Sequence, residues 1–168
     1  MISVITGDII QSRKAENHDL WLNPLRKVLG KVAPSSEDRT IFRGDSFQIR
    51  VPAEEALNAA LRIKATMKLT GVVDVRMAIA VGEYGADGSV HEEKSTELNR
   101  PINESFGTTA IQSGELLEGL KPARQSMMFA SGDDHLDREL NLMLMLVLLV
   151  LDSWTAASAE LALLLLED

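Results

Sequence analysis

The sequence predicts an α+β fold of βαββαβ order, and three observations carry the prediction. "ISVITGDII" is β-branched and apolar on both faces, as suits a central strand covered on each side. In "IFRGDSFQIRV", Phe47, Ile49 and Val51 alternate with Gln48 and Arg50 behind a Gly44-Asp45 turn, a hairpin pattern. "VDVRMAIAVGEY" then reads as another long, largely buried strand.

The elements follow in order. After the first strand, "QSRKAENHD" is a polar loop. Leu22, Leu25, Val28, Leu29 and Val32 then recur at helical spacing, and Pro24 suits a first turn, so the helix is expected to begin near Asn23. "PSSED" ends it ahead of the hairpin. Pro52 opens a second helix, in which Leu57, Ala60, Leu61, Lys64, Ala65 and Lys68 share a face and acids occupy the first turn. "TGVV" closes that helix before the last of these strands. The plan is ferredoxin-like, an antiparallel sheet with helices on one face. From Gly85 to Asn103 the chain is polar and turn-rich. A helix over Thr109 to Leu120 and a strand in "SMMFASG" follow. Asp133 and Asp134 form the N-cap region of a helix from about His135 to Leu151. The division is a domain over 1–132 and a helical extension over 133–168. The ending "LALLLLED" reads as an unfinished helix, hence as a fragment.

Bulk properties narrow the function. At 168 residues, 45% apolar and 25% charged, the chain suits one folded domain with a small appendage. With no cysteine, disulfides, thiolate metal sites and cysteine nucleophiles are excluded. A net charge of −8 argues against a broad nucleic-acid footprint. No basic segment precedes the first apolar run, so no signal peptide is read and a cytoplasmic location is expected. "LNLMLMLVLLVLDSW" holds an apolar run of about a dozen residues, short of the ~20 a membrane span needs. It is expected to be buried on every side, within this chain or against a partner copy, and a homodimer is the preferred reading.

Candidate chemistry sits at one end of the sheet. In a βαββαβ sheet the first and third strands are antiparallel neighbours, which brings Asp8 and Asp45 to the same end. Such carboxylates suit Mg²⁺ with phosphate oxygens and water. The loop at Ser12 and Arg13 offers backbone N–H groups and a cation to a phosphate. The bland alternative is that both aspartates only cap turns, with Arg43 and Gly44 as ordinary hairpin residues. Arg43-Gly44-Asp45 also spells an adhesion tripeptide, but nothing points to export. His18, His91 and His135 are scattered in polar segments, and Ser12 has no base spaced to activate it.

"VITGDIIQSR", "FRGDSFQIRV" and "VRMAIAVGE" together resemble the core of class III nucleotide cyclases. More closely, with "ESFGTTAIQSGE" and "NLMLMLVLLVLDSWTAASAE", the chain is similar to the SatD-like bacterial proteins, over most of residues 1–160. The resemblance implies that Asp8, Asp45 and the Ile9 backbone carbonyl are metal contacts for Mg²⁺ and a nucleotide of unknown identity. It also implies continuation into a C-terminal helix-turn-helix, the only route to DNA. Cyclases use an asparagine and, four residues later, an arginine on a later helix; here Ile111 and Glu115 stand at those places. Neither can donate to a polyphosphate oxygen, and no lysine for adenine recognition is evident. The implied function is a regulatory or ligand-sensing domain, of transcription-regulator type, with a degenerate site and no catalytic residues. The alternatives are an active Mg²⁺-dependent cyclase or phosphotransferase, and a non-catalytic dimerisation domain.

Overall fold

Strands that are apolar on both faces must be covered on both. The computed structural model, which describes residues 1–83, 102 and 107–166, shows how this is done. The elements are β1 (Ile2–Ile10), α1 (Asp19–Val32), β2 (Arg39–Phe42), β3 (Ser46–Pro52), α2 (Ala56–Leu69) and β4 (Asp74–Gly82), then α3 (Thr108–Ala123), β5 (Met127–Ala130), α4 (Asp134–Leu151) and α5 (Ala156–Leu166). The five strands form one mixed sheet in the order β2-β3-β1-β4-β5. All neighbours are antiparallel except β4 and β5, which run parallel.

The register sorts side chains by face, because alternate strand residues point opposite ways. Ile5, Ile49 and Ile79 lie side by side on one face, with Phe47, Val51, Val75, Met77 and Phe129. There they pack against Trp21, Leu25 and Leu29 of α1, Ala60, Ile63 and Met67 of α2, and Leu148 and Leu151 of α4. On the other face Ala78 packs with Leu117 and Leu120 of α3, and Val4 with Ala110. The expectation of helices on one face is therefore corrected. The second face of β1, β4 and β5 carries Val4, Ala78 and Met128, which also need cover, and α3 provides it.

Two glycines are required by geometry. Gly7 lies opposite Phe47, and a Cβ built there would fall 2.4 Å from the ring's Cζ. Gly44 has φ +88°, next to Arg43 at +52°, the paired left-handed conformations of a tight hairpin turn.

Two helices depart from expectation. α1 begins at Asp19 rather than near Asn23, which leaves Pro24 inside the helix. The Asn17 side chain accepts from the Asp19 N–H at 2.9 Å, and burial of Trp21 holds the early turn. Pro24 donates nothing to the Leu20 carbonyl, but Leu20 is exposed and water can serve it. α4 starts as expected, with Asp133 accepting from the His135 and Leu136 N–H groups at 2.9 and 3.1 Å. Within this chain it is not buried on every side. Leu148 and Leu151 are buried, whereas Leu142, Met143, Met145, Leu146, Val147, Leu149 and Val150 are exposed. Among the described residues, no helix is long and apolar enough to cross a membrane. The polar stretch from Gly85 to Asn103 lies, apart from Ile102, outside the described residues.

Candidate functional site

The pairing of β1 with β3 joins the two segments that carry the aspartates. Asp8 is opposite Ser46, and the Ile9 N–H donates to the Asp45 carbonyl at 2.9 Å. Asp45 itself stays out of the β2–β3 pairing, since Phe42 pairs directly with Ser46. The turn at Arg43 and Gly44 thus releases the Asp45 main chain to reach β1.

The two carboxylates have different partners. Asp45 Oδ2 accepts from the buried Ser12 hydroxyl at 2.7 Å. Ser12 opens a short 3₁₀ turn, Ser12–Lys14, after Gln11 takes a left-handed conformation at φ +66°. Of the two residues expected to meet a phosphate, Ser12 therefore gives its proton to Asp45, while Arg13 is exposed. Arg43 and Gly44 are exposed at the hairpin tip.

Asp8 lies between two cations. The Arg76 Nη1 is 3.3 and 3.2 Å from its two oxygens, and the Lys121 Nζ is 3.4 Å from Oδ2. Arg76 is Asp8's register partner on β4, and its Nε also donates to the Gln125 carbonyl at 3.3 Å. Lys121 arrives from the last turn of α3. Neither cation was singled out from sequence. Arg76 becomes visible only once the β1–β4 register is known, and Lys121 only once α3 is placed on the second face.

Paired this way, Asp8 is charge-compensated, and a Mg²⁺ would compete with Arg76 and Lys121 for it. Among the described residues no three acidic or histidine side chains cluster as a metal centre. Asp8→Asn should cost about 1–2 kcal/mol of stability, since it strips a part-buried Arg76 of a charged partner. Asp45→Asn should change stability by about 0.5 kcal/mol or less, because an amide oxygen still accepts from Ser12. Urea unfolding of the two variants checks the contrast.

Beside Asp8 runs a directed chain of hydrogen bonds. Ser113 Oγ donates to the Ala110 carbonyl at 2.9 Å, so at the 2.7 Å contact with Thr6 it must accept. Thr6, having given its proton, accepts from Gln48 Nε2 at 2.9 Å. The "AIQSGE" segment thus anchors α3 on the sheet through Ala110 and Ser113. Ile111 and Glu115, on the same helix, are exposed.

A second charged cluster was missed by sequence reasoning. Lys64 is fully buried, with Nζ 2.9 Å from Asp74 Oδ1 and 2.5 Å from Asp152 Oδ1. Lys68 bonds Asp74 Oδ2 at 2.8 Å and also the Asp152 carbonyl. Ser126 donates to Asp152 Oδ1 at 2.7 Å. The cluster ties α2 to the start of β4, the approach to β5 and the C-terminal end of α4. Its signal was available: Lys64 and Lys68 stand at the apolar spacing of α2, where cations need buried acidic partners.

Comparison with protein-family models, curated proteins and solved structures finds no match for this chain.

Proposed function

We propose that this chain is a regulatory, ligand-sensing domain that binds a phosphorylated ligand, of which a nucleotide is the leading case, without turning it over. The observation that carries the reading is Asp8 held between Arg76 and Lys121. Two cations at a sheet end suit phosphate oxygens. A ferredoxin-like core similar to nucleotide cyclases is supported by the order β2-β3-β1-β4, with β1 between β3 and β4. Loss of catalysis is supported by the exposed apolar and acidic residues Ile111 and Glu115.

The ion pairs give the site a sensing logic. A phosphate that takes Arg76 and Lys121 leaves the Asp8 carboxylate free. Asp8, the Ile9 carbonyl and Asp45 are then the groups to hold a Mg²⁺ that arrives with the ligand, where it neutralises phosphate charge. With Asp8 paired, the same residues do not fit a resident Mg²⁺. Ligand and metal should therefore bind cooperatively. Any action on DNA would pass through a further C-terminal domain, and the site of action would be the cytoplasm.

The test is a thermal-stability matrix of Mg²⁺ and ATP or GTP, alone and together. With both at about a hundredfold excess over Kd, the melting temperature should rise by roughly 5 °C or more. The combined shift should exceed the sum of the separate ones. No shift with any combination would overturn the reading.

A further inference from the structure

We infer that the exposed face of α4 is a self-association surface on which a second copy of this chain packs its own α4 antiparallel. The helix cannot turn this face inward. Asn141 exchanges hydrogen bonds with the Phe129 N–H and carbonyl, both at 2.8 Å, and Asp137 Oδ1 accepts from the Ser131 N–H and hydroxyl at 2.7 and 2.6 Å. Asp152 is fixed to Lys64 at the other end. These anchors leave Leu142, Met143, Leu146, Leu149 and Val150 between 60 and 75% exposed.

No charged residue interrupts positions 140–151. Leu142, Leu146 and Leu149 follow the alternating four-and-three spacing of a knobs-into-holes seam, with Met143, Met145 and Val150 alongside. Large apolar side chains that are each at least 60% exposed and sit together on one helix face form the kind of contiguous patch that marks an interaction site rather than scattered surface hydrophobics. Bounded by Glu139 and Ser153, it is self-complementary about Leu146, as a two-fold interface requires.

Charge selects the orientation. A parallel pair would set Asp133, Asp134 and Glu139 against their own copies. An antiparallel pair separates these acids by most of the helix length, beyond a Debye length. The end they then approach carries Asp152, already paired with Lys64.

Light scattering should give twice the monomer mass for the wild-type chain. Leu146→Glu should give the monomer mass with an unchanged far-UV circular dichroism spectrum. Should that variant fail to fold, cross-linking decides, since the chain has no cysteine of its own. Leu142→Cys mixed with Val150→Cys should form a disulfide-linked mixed dimer on mild oxidation. A wild-type monomer overturns the inference, including one that sediments with anionic phospholipid vesicles. A dimer that survives Leu146→Glu overturns it as well, as does cross-linking confined to identical Leu142→Cys copies. None of these readouts involves nucleotide, so the ligand-sensing proposal stands or falls separately.

Discussion

Lys64→Met should lower the unfolding free energy by about 3 kcal/mol, toward the lower end of the cost of breaking a buried ion pair. Methionine preserves most of the volume, so the loss reports charge rather than a cavity. Lys64 is 0% exposed, while Asp152 is 45% exposed and Asp74 keeps Lys68 as a partner. Those two circumstances keep the cost from rising further. The urea midpoint should fall with the slope unchanged. Adding Asp152→Asn should recover part of the loss by removing the one carboxylate left without a cation. Because Asp152 caps α4, the single variant should also speed amide exchange in the last turn of that helix.

Gly7→Ala should cost about 2–3 kcal/mol, the range for forcing atoms into a filled core. The added Cβ would lie 2.4 and 2.6 Å from two Phe47 ring atoms and 3.0 Å from the Arg76 carbonyl oxygen. Phe47 is completely buried and cannot swing clear. On the other side stands the β4 backbone at Arg76, so the strain also reaches the partner of Asp8. Trimming the ring should relieve much of the clash. In denaturant unfolding, Gly7→Ala/Phe47→Leu should lose less than the sum of its two single variants. Additive losses would mean that Gly7 is not needed for the approach of Phe47.

The strands were legible because local pattern and burial agree. "ISVITGDII" and "VDVRMAIAVGEY" are apolar on both faces, and both are central in the sheet. The hairpin was legible because Gly44 marks the turn. The start of α1 was misjudged because Pro24 reads locally as a first-turn residue, whereas Trp21, buried through tertiary packing, extends the helix before it. The cover of α3 on the second face was missed because Val4, Ala78 and Met128 belong to three separated strands. Only the pairing register collects them on one surface.

The candidate site divides in the same way. Placing Asp8 and Asp45 at one sheet end required only the β1–β3 pairing, which the element order suggested. What each carboxylate touches required side-chain directions that no spacing encodes. Arg76 and Lys121, which separate an anion-sensing reading from a standing metal site, come from β4 and the end of α3. Lys64 and Lys68 could have been flagged, since lysines in the apolar stripe of a helix demand an explanation.

The most direct test of the central claim is a phosphorus-31 NMR spectrum of Mg²⁺·ATP mixed with stoichiometric protein and followed over hours. Ligand sensing without turnover predicts shifted or broadened β- and γ-phosphate resonances and no new signal. A growing pyrophosphate or cyclic-nucleotide resonance would show an enzyme, and a spectrum identical to free Mg²⁺·ATP would show that the site around Asp8, Arg76 and Lys121 does not recognise the nucleotide.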